Sequence, residues 1–145
     1  MPSTTPTVGA RIYAAHTPAP SVLAAACTSN LSTSSSTAAD VVGASIPVTT
    51  VQLNAVAVVI GVFDMTTTST GGNGVGTLVV DGVTQSGEAI HGLVTSADRD
   101  TVMQTWTVTL APGSHTLKLQ GASSGAGTVT ISNTHTTITA TVYDW

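Results

Sequence analysis

The sequence predicts an all-β protein, an antiparallel β-sandwich of the jelly-roll kind, on three observations. Thr and Ser supply 43 of its 145 residues, 28 and 15 respectively, while only 7% are charged. β-Branched residues that suit a pleated surface therefore stand where helices would want Glu, Lys and Arg. Residues 102–120, VMQTWTVTLAPGSHTLKLQ, repeat with a period of two, as half-buried strands do. Finally, turn-forming clusters separate eight or so such runs at intervals of roughly ten to fifteen residues, the spacing of a sandwich or jelly roll.

In residues 102–120, Val102, Gln104, Trp106, Val108 and Leu110 alternate with Met103, Thr105, Thr107 and Thr109. After Ala111-Pro112-Gly113-Ser114 the alternation resumes with His115, Leu117 and Leu119 against Thr116, Lys118 and Gln120. Pro presets φ and Gly supplies a positive φ, so the segment reads as a hairpin with one apolar face.

The other elements follow in order. Residues 1–9 form a Pro/Ser/Thr-rich extended arm that buries nothing by itself, and residues 10–145 form a single sandwich domain. Residues 11–17 read as a first strand, ended by Pro18 and Pro20. Residues 22–27 fit either a short strand or one helical turn. Residues 30–39 are a Ser/Thr tract, a loop or an edge strand. Residues 41–48 read as a strand in which Pro47 demands an edge or an end.

Residues 51–65, VQLNAVAVVIGVFDM, are the longest strand candidate. Val51, Leu53 and Ala55 begin on one face, and Ala57, Val59 and Gly61 continue it. Val56, Val58, Ile60 and Val62 make the opposite face apolar too. A strand apolar on both faces is buried on both. In a sandwich one of those faces should meet water, so these four residues are the candidate subunit interface, with packing about a symmetry axis as the simplest cover.

Residues 66–76 read as a Gly-rich loop with no Lys-Ser/Thr ending to cradle phosphate. Residues 77–80 and 83–85 form a hairpin across Asp81-Gly82, the pair that favours a type I′ turn. Residues 88–95 are a weaker strand, followed by the Asp98-Arg99-Asp100 cluster. Residues 121–127 read as a flexible loop. Val129 and Ile131 then face inward, as do Ile138, Ala140 and Val142, while Thr137, Thr139, Thr141 and Tyr143 face outward.

Charge and motifs narrow the function classes. A net charge of −4 with three Lys+Arg offers no basic patch for phosphates, so no nucleic-acid partner is expected. Nine residues are the longest apolar run, about half a membrane span, and residues 1–11 lack the pattern of a cleaved export signal. No membrane partner is expected, and synthesis in a cytoplasm is. Cys27 is alone, reading as a small buried residue. The Asn30-Leu31-Ser32 sequon carries little meaning without a secretory route.

No catalytic constellation emerges, and no cofactor or metal is expected. His16, His91, His115 and His135 are scattered, and His115 and His135 read as exposed loop residues. Asp98 and Asp100 flank Arg99 and lack further acidic ligands for calcium. Trp106 sits among core positions. Tyr143-Asp144-Trp145 is either docked on a surface or available to bind one.

Three segments, TWTVTLAPGSHTLKLQG, the VDG turn and the closing ITATVYD strand, resemble the small trimeric jelly-roll modules of tailed-phage virions, which share the tumour-necrosis-factor/complement-globular-head architecture. The resemblance covers about residues 74–145. It implies a homotrimer with a structural, non-enzymatic role in the virion. A compact module with a short arm implies a head-decoration protein that binds the major capsid protein from outside. Pro2, Ser3, Thr4, Thr5, Pro6, Thr7, Val8 and Gly9 are then the candidate capsid contacts. The competing expectation is a tail-fibre, tail-tip or carbohydrate-binding module, which would need exposed aromatics.

Overall fold

In the computed structural model the described residues are 19–68, 71–92 and 98–145. The proposed arm, the strand at residues 11–17 and His16 lie outside them. The described chain forms β1 (Ser21–Ala26), β2 (Leu31–Thr33), β3 (Ala39–Thr50), β4 (Ala55–Thr67), β5 (Gly72–Val80), β6 (Val83–Thr84), β7 (Ala89–Gly92), β8 (Arg99–Leu110), β9 (Gly113–Gly125), β10 (Val129–Ile131) and β11 (Thr137–Tyr143). They lie in two antiparallel sheets. The first runs β1-β11-β4-β10-β2 with β8 on the other side of β4, and the second runs β3-β9-β5-β6 with β7 also on β5. The architecture is an all-β jelly-roll sandwich, as the alternation predicts.

Inward residues of both sheets meet in one core. Phe63, Met65, Leu78, Leu117, Leu119, Ile131 and Ile138 are fully buried there. Trp106 is 4% exposed and its indole Nε1–H donates to the Gly87 carbonyl at 2.9 Å. Cys27 is buried, with its thiol on the Ser29 carbonyl. Pro47 lies in β3, an edge strand of the second sheet, where a missing N–H breaks no inner ladder. Asp81 and Gly82, with φ of 50° and 84°, form the positive-φ turn between β5 and β6.

Residues 102–120 are not a hairpin. β8 pairs with β4 in the first sheet, whereas β9 pairs with β3 and β5 in the second. Alternation cannot distinguish the two arrangements, because in both of them each strand turns its own apolar face (even positions in β8, odd in β9) toward one core. Pro112 and Gly113, whose φ is 137°, carry the chain over this corner instead of folding it back.

Two Gly-rich segments read as loops are strand. β4 extends to Thr67, β5 begins at Gly72, and β9 continues to Gly125. Gly74 and Gly76 face the core where larger side chains already stand. A Cβ on Gly76 would sit 2.6 Å from the Phe63 ring, and one on Gly74 would collide with the Met65 sulfur. Glycine is here the small partner that lets large core residues reach across. Residues 51–54, expected to open the long strand, form a turn with Asn54 at φ 65°, and Val51 and Leu53 are 75% and 78% exposed. The Asp144 carboxylate holds that turn by accepting the backbone N–H groups of Val51 and Gln52 at 2.9 and 2.8 Å.

His115 is not an exposed loop residue; its side chain is only 12% exposed. Nδ1 lies 2.6 Å from an Asp81 carboxylate oxygen and Nε2 2.7 Å from the Ala111 carbonyl. Both partners are acceptors, so only the imidazolium, with two N–H donors, satisfies both. The residue ties the β5–β6 turn to the corner between the sheets. The Asp81 carboxylate, and secondarily the Ala111 carbonyl, raise its pKa above the ordinary 6.5. In return His115, and then the Thr116 amide, lower Asp81 below 3.8.

The raised histidine contributes stability that is full below pH 6.5 and lost as pH rises through its folded pKa. The lowered aspartate contributes stability that is full above 3.8 and lost as pH falls through its own. The clamp is therefore complete between those values. An NMR titration is expected to place the His115 ring pKa above 6.5 and to return it toward 6.5 in Asp81→Asn.

Candidate assembly interface

The first sheet has one face in the core and one facing out. Along β4 the odd positions Ala55, Ala57, Val59, Gly61, Phe63 and Met65 are buried, while Val56, Val58, Ile60 and Val62 are half-buried on the outer side. The expectation that both faces are apolar holds for composition, but among the described residues only the odd face is covered. No second layer of the described chain closes over the even face.

Strand register places these four residues in the middle of a grid. Val22 of β1, Thr141 of β11, Val58 of β4 and Thr107 of β8 form one row across the sheet. Ala24, Thr139, Ile60 and Thr105 form the next, and Ala26, Thr137, Val62 and Met103 the third. Tyr143, Val56 and Thr109 make a shorter row at the end. A ridge of Val and Ile thus runs between columns of Thr. The Thr columns explain why the ridge is half-buried: cross-strand neighbours at about 5 Å shield its flanks and leave its crest open. Val22 and Met103, at opposite corners, are 67% and 63% exposed.

None of the side chains in these rows is charged. The other outer face of the sandwich differs. There the Asp40 carboxylate accepts from Lys118 Nζ at 2.8 Å and from Gln120 Nε2 at 2.7 Å, contacts that hold Asp40 below its usual pKa. The chain has few charges in total, and none of them falls in these four rows. A flat face carrying methyls and hydroxyls can lie against a different surface of a neighbouring copy without burying an ion.

The Val/Ile column ends in an ion pair. Asp64, next on the same side of β4, is 1% exposed under residues 132–136. Its backbone N–H donates to Thr136 Oγ1, and its carbonyl accepts the Ser132 N–H. Arg99 reaches it from β8 with two guanidinium nitrogens, Nε at 2.8 Å to Oδ1 and a second to Oδ2. That fork outweighs the opposing effect of burial and lowers the Asp64 pKa below its ordinary value. The Asp98-Arg99-Asp100 cluster is thus partly structural: Arg99 seals the edge of the face. His91 Nε2 lies 3.6 Å from the Asp100 carboxylate. Among the described residues no group of three His, Cys, Asp or Glu side chains could hold a metal ion.

At the opposite end Tyr143 and Trp145 meet edge to face, ring centroids 4.9 Å apart, and Trp145 stays 60% exposed. The terminal triplet does both things the sequence left open: Asp144 is docked on the β3–β4 turn and Trp145 is presented. Val51, Leu53 and Trp145 form an apolar tip that alternation did not reveal, because it arises from a carboxylate cap rather than from strand period.

No family model matches the chain, and no curated protein matches its sequence. Solved structures do match in fold. Eiger, a TNF from S. frugiperda, superposes with a TM-score of 0.54 over 86% of this chain and 92% of that one, at 9% identity. Murine APRIL gives 0.53 over 86% and 98%, at 15% identity. The infectious bursal virus protein of T=1 particles gives 0.51 over 89% of this chain and 37% of that one, at 16% identity. The chain has the jelly-roll fold that is found in TNF-like proteins and in viral capsid proteins.

Proposed function

We propose that this chain is a non-enzymatic structural protein of a tailed-phage virion that assembles as a homotrimer and decorates the outside of the head. The observation that carries the proposal is the set of uncharged rows on the outer face of the first sheet, with Val56, Val58, Ile60 and Val62 along their centre. Those residues bind a second copy, and three copies close the ring about an axis beside this sheet. The jelly-roll fold is compatible with such a role, and the Thr/Ser surface suits a protein that lives packed in an assembly.

The head-binding element is the arm, Pro2 to Gly9. An arm with few apolar residues gains affinity by backbone hydrogen bonding across the junction of capsid subunits and by avidity from three copies. Binding to the assembled shell and not to free subunits stabilises the shell by mass action. Removal of residues 1–9 is expected to abolish co-sedimentation with undecorated heads of the parent phage while leaving the soluble mass unchanged. Undiminished co-sedimentation of the shortened protein would sink the arm's role. A tail-fibre or receptor-binding module is the second reading, favoured by exposed Trp145, and predicts the protein on tails and not heads in immunolabelled virions.

A further inference from the structure

A trough crosses the outer face of the second sheet, on the side away from the proposed subunit contact. Val75, Thr77 and Ala122 form its floor, Ser36 and Ala38 stand on one side, and Glu88 and Ile90 on the other, enclosing about 280 Å³. The register explains the floor: Val75 of β5 lies between Ala122 of β9 and Ile90 of β7. Its walls are pinned by backbone bonds. The Ser123 N–H donates to the Ser35 carbonyl at 2.8 Å, and β7 is laddered to β5 from residue 89 to 92.

Thr77 is the anomaly. It is 5% exposed, it lines the trough, and its Oγ1 has no hydrogen-bond partner. A buried hydroxyl left unpaired is costly, and native proteins pair nearly all of them with protein, water or ligand. The Oγ1 is itself closed off from solvent, so it meets an occupant of the trough only after a χ1 rotation that exchanges its methyl and hydroxyl.

We infer that this trough is a binding site for a neutral polyhydroxyl ligand, one ring of a saccharide. The wall and floor chemistry selects that class. Ser36, Thr84 and Ser124 offer hydroxyls that donate or accept, and the Glu88 carboxylate accepts from ligand hydroxyls and repels anions. Ile90, 57% exposed, gives an apolar surface for the C–H face of a ring. The volume falls just below the range of about 300–1,000 Å³ that holds drug-sized ligands, which suits a single ring and not a long chain. This site is independent of the assembly reading, because the two outer faces of the sandwich point in opposite directions.

The test is a 1H–15N NMR titration of the full chain with glucose, galactose, N-acetylglucosamine and, as an anion, glucuronate. The expected result is saturable shifts for at least one neutral sugar, confined to the amides of Val75, Thr77, Ile90, Ala122 and neighbours, with weaker binding of glucuronate. Thr77→Val keeps the shape and removes the hydroxyl, so the fold survives, and affinity is expected to fall at least tenfold; Glu88→Gln should narrow the gap between neutral and acidic sugars. Absence of saturable shifts with all three neutral sugars would overturn the inference. So would Thr77→Val binding as tightly as the parent, since the hydroxyl would then serve only a lone water.

Discussion

Ile60→Lys is expected to convert the proposed trimer to a folded monomer. Ile60 sits at the centre of the outer grid, between Thr139 and Thr105, and its side chain is half-buried in a single chain. In one copy the lysine ammonium can rise along the open crest into water, so the substitution should alter monomer stability by about 1 kcal/mol or less. In the assembly the same charge is enclosed by a partner face that offers hydroxyls and methyls but no carboxylate. An unpaired buried charge costs several kcal/mol, which raises the dissociation constant by roughly a hundredfold to a thousandfold or more. Sedimentation velocity over a dilution series reads this directly. Val83→Lys is the control: Val83 is 64% exposed on β6 of the other sheet, and the same charge there should leave the mass unchanged.

Gly76→Ala is expected to cause a large loss of stability from one added methyl group. An added Cβ meets three atoms of the Phe63 ring at 2.6–2.7 Å. That ring is fully buried against β5 and has no space to retreat into. Overpacking of this kind costs about 1–3 kcal/mol, and a rigid ring puts it at the upper end. Against a total stability of about 5–15 kcal/mol that is a large fraction, equivalent to roughly 10 °C in Tm. Phe63→Leu in the Gly76→Ala background should recover part of the loss if the clash is its cause. Gly82→Ala separates sterics from conformation: nothing lies within 4 Å of its Cβ, but its φ is 84°. Its expected cost is only about 1 kcal/mol. Thermal melts of the three variants check the ranking.

How much of this was legible in the sequence depends on what carried the information. Burial parity along residues 102–110, 115–119 and 137–143 was readable because side-chain direction alternates with no help from tertiary structure. The pairing of those strands was not. Residues 102–120 would show the same alternation in a hairpin or across a corner between sheets, and β4 and β3 decide which. Glycines 74 and 76 look like a loop because propensity argues against glycine in strands. Their reason for being in one is Phe63 and Met65, nine or more residues away, which no local pattern reports.

The candidate interface residues were legible from the doubly apolar run at 51–65, though that run starts as a turn, because Asp144 caps the amides of Val51 and Gln52 from the other end of the chain. His115 was misread as exposed for the same reason: its partner Asp81 is 34 positions away in sequence. Its doubly accepted imidazole can be seen only when the β5–β6 turn and the sheet corner are brought together. The trough around Thr77 left no signal either, since its members come from four separated segments and none belongs to a motif.

The mass of the purified chain in solution tests assembly through the outer face most directly. Sedimentation equilibrium at neutral pH is expected to give a species of three times the 14.4 kDa chain, stable on dilution and reduced to one chain by Ile60→Lys. A parent protein that sediments as a monomer at every concentration, or a trimer unaffected by lysine at position 60, would contradict assembly through the outer face of the β1–β11–β4–β8 sheet.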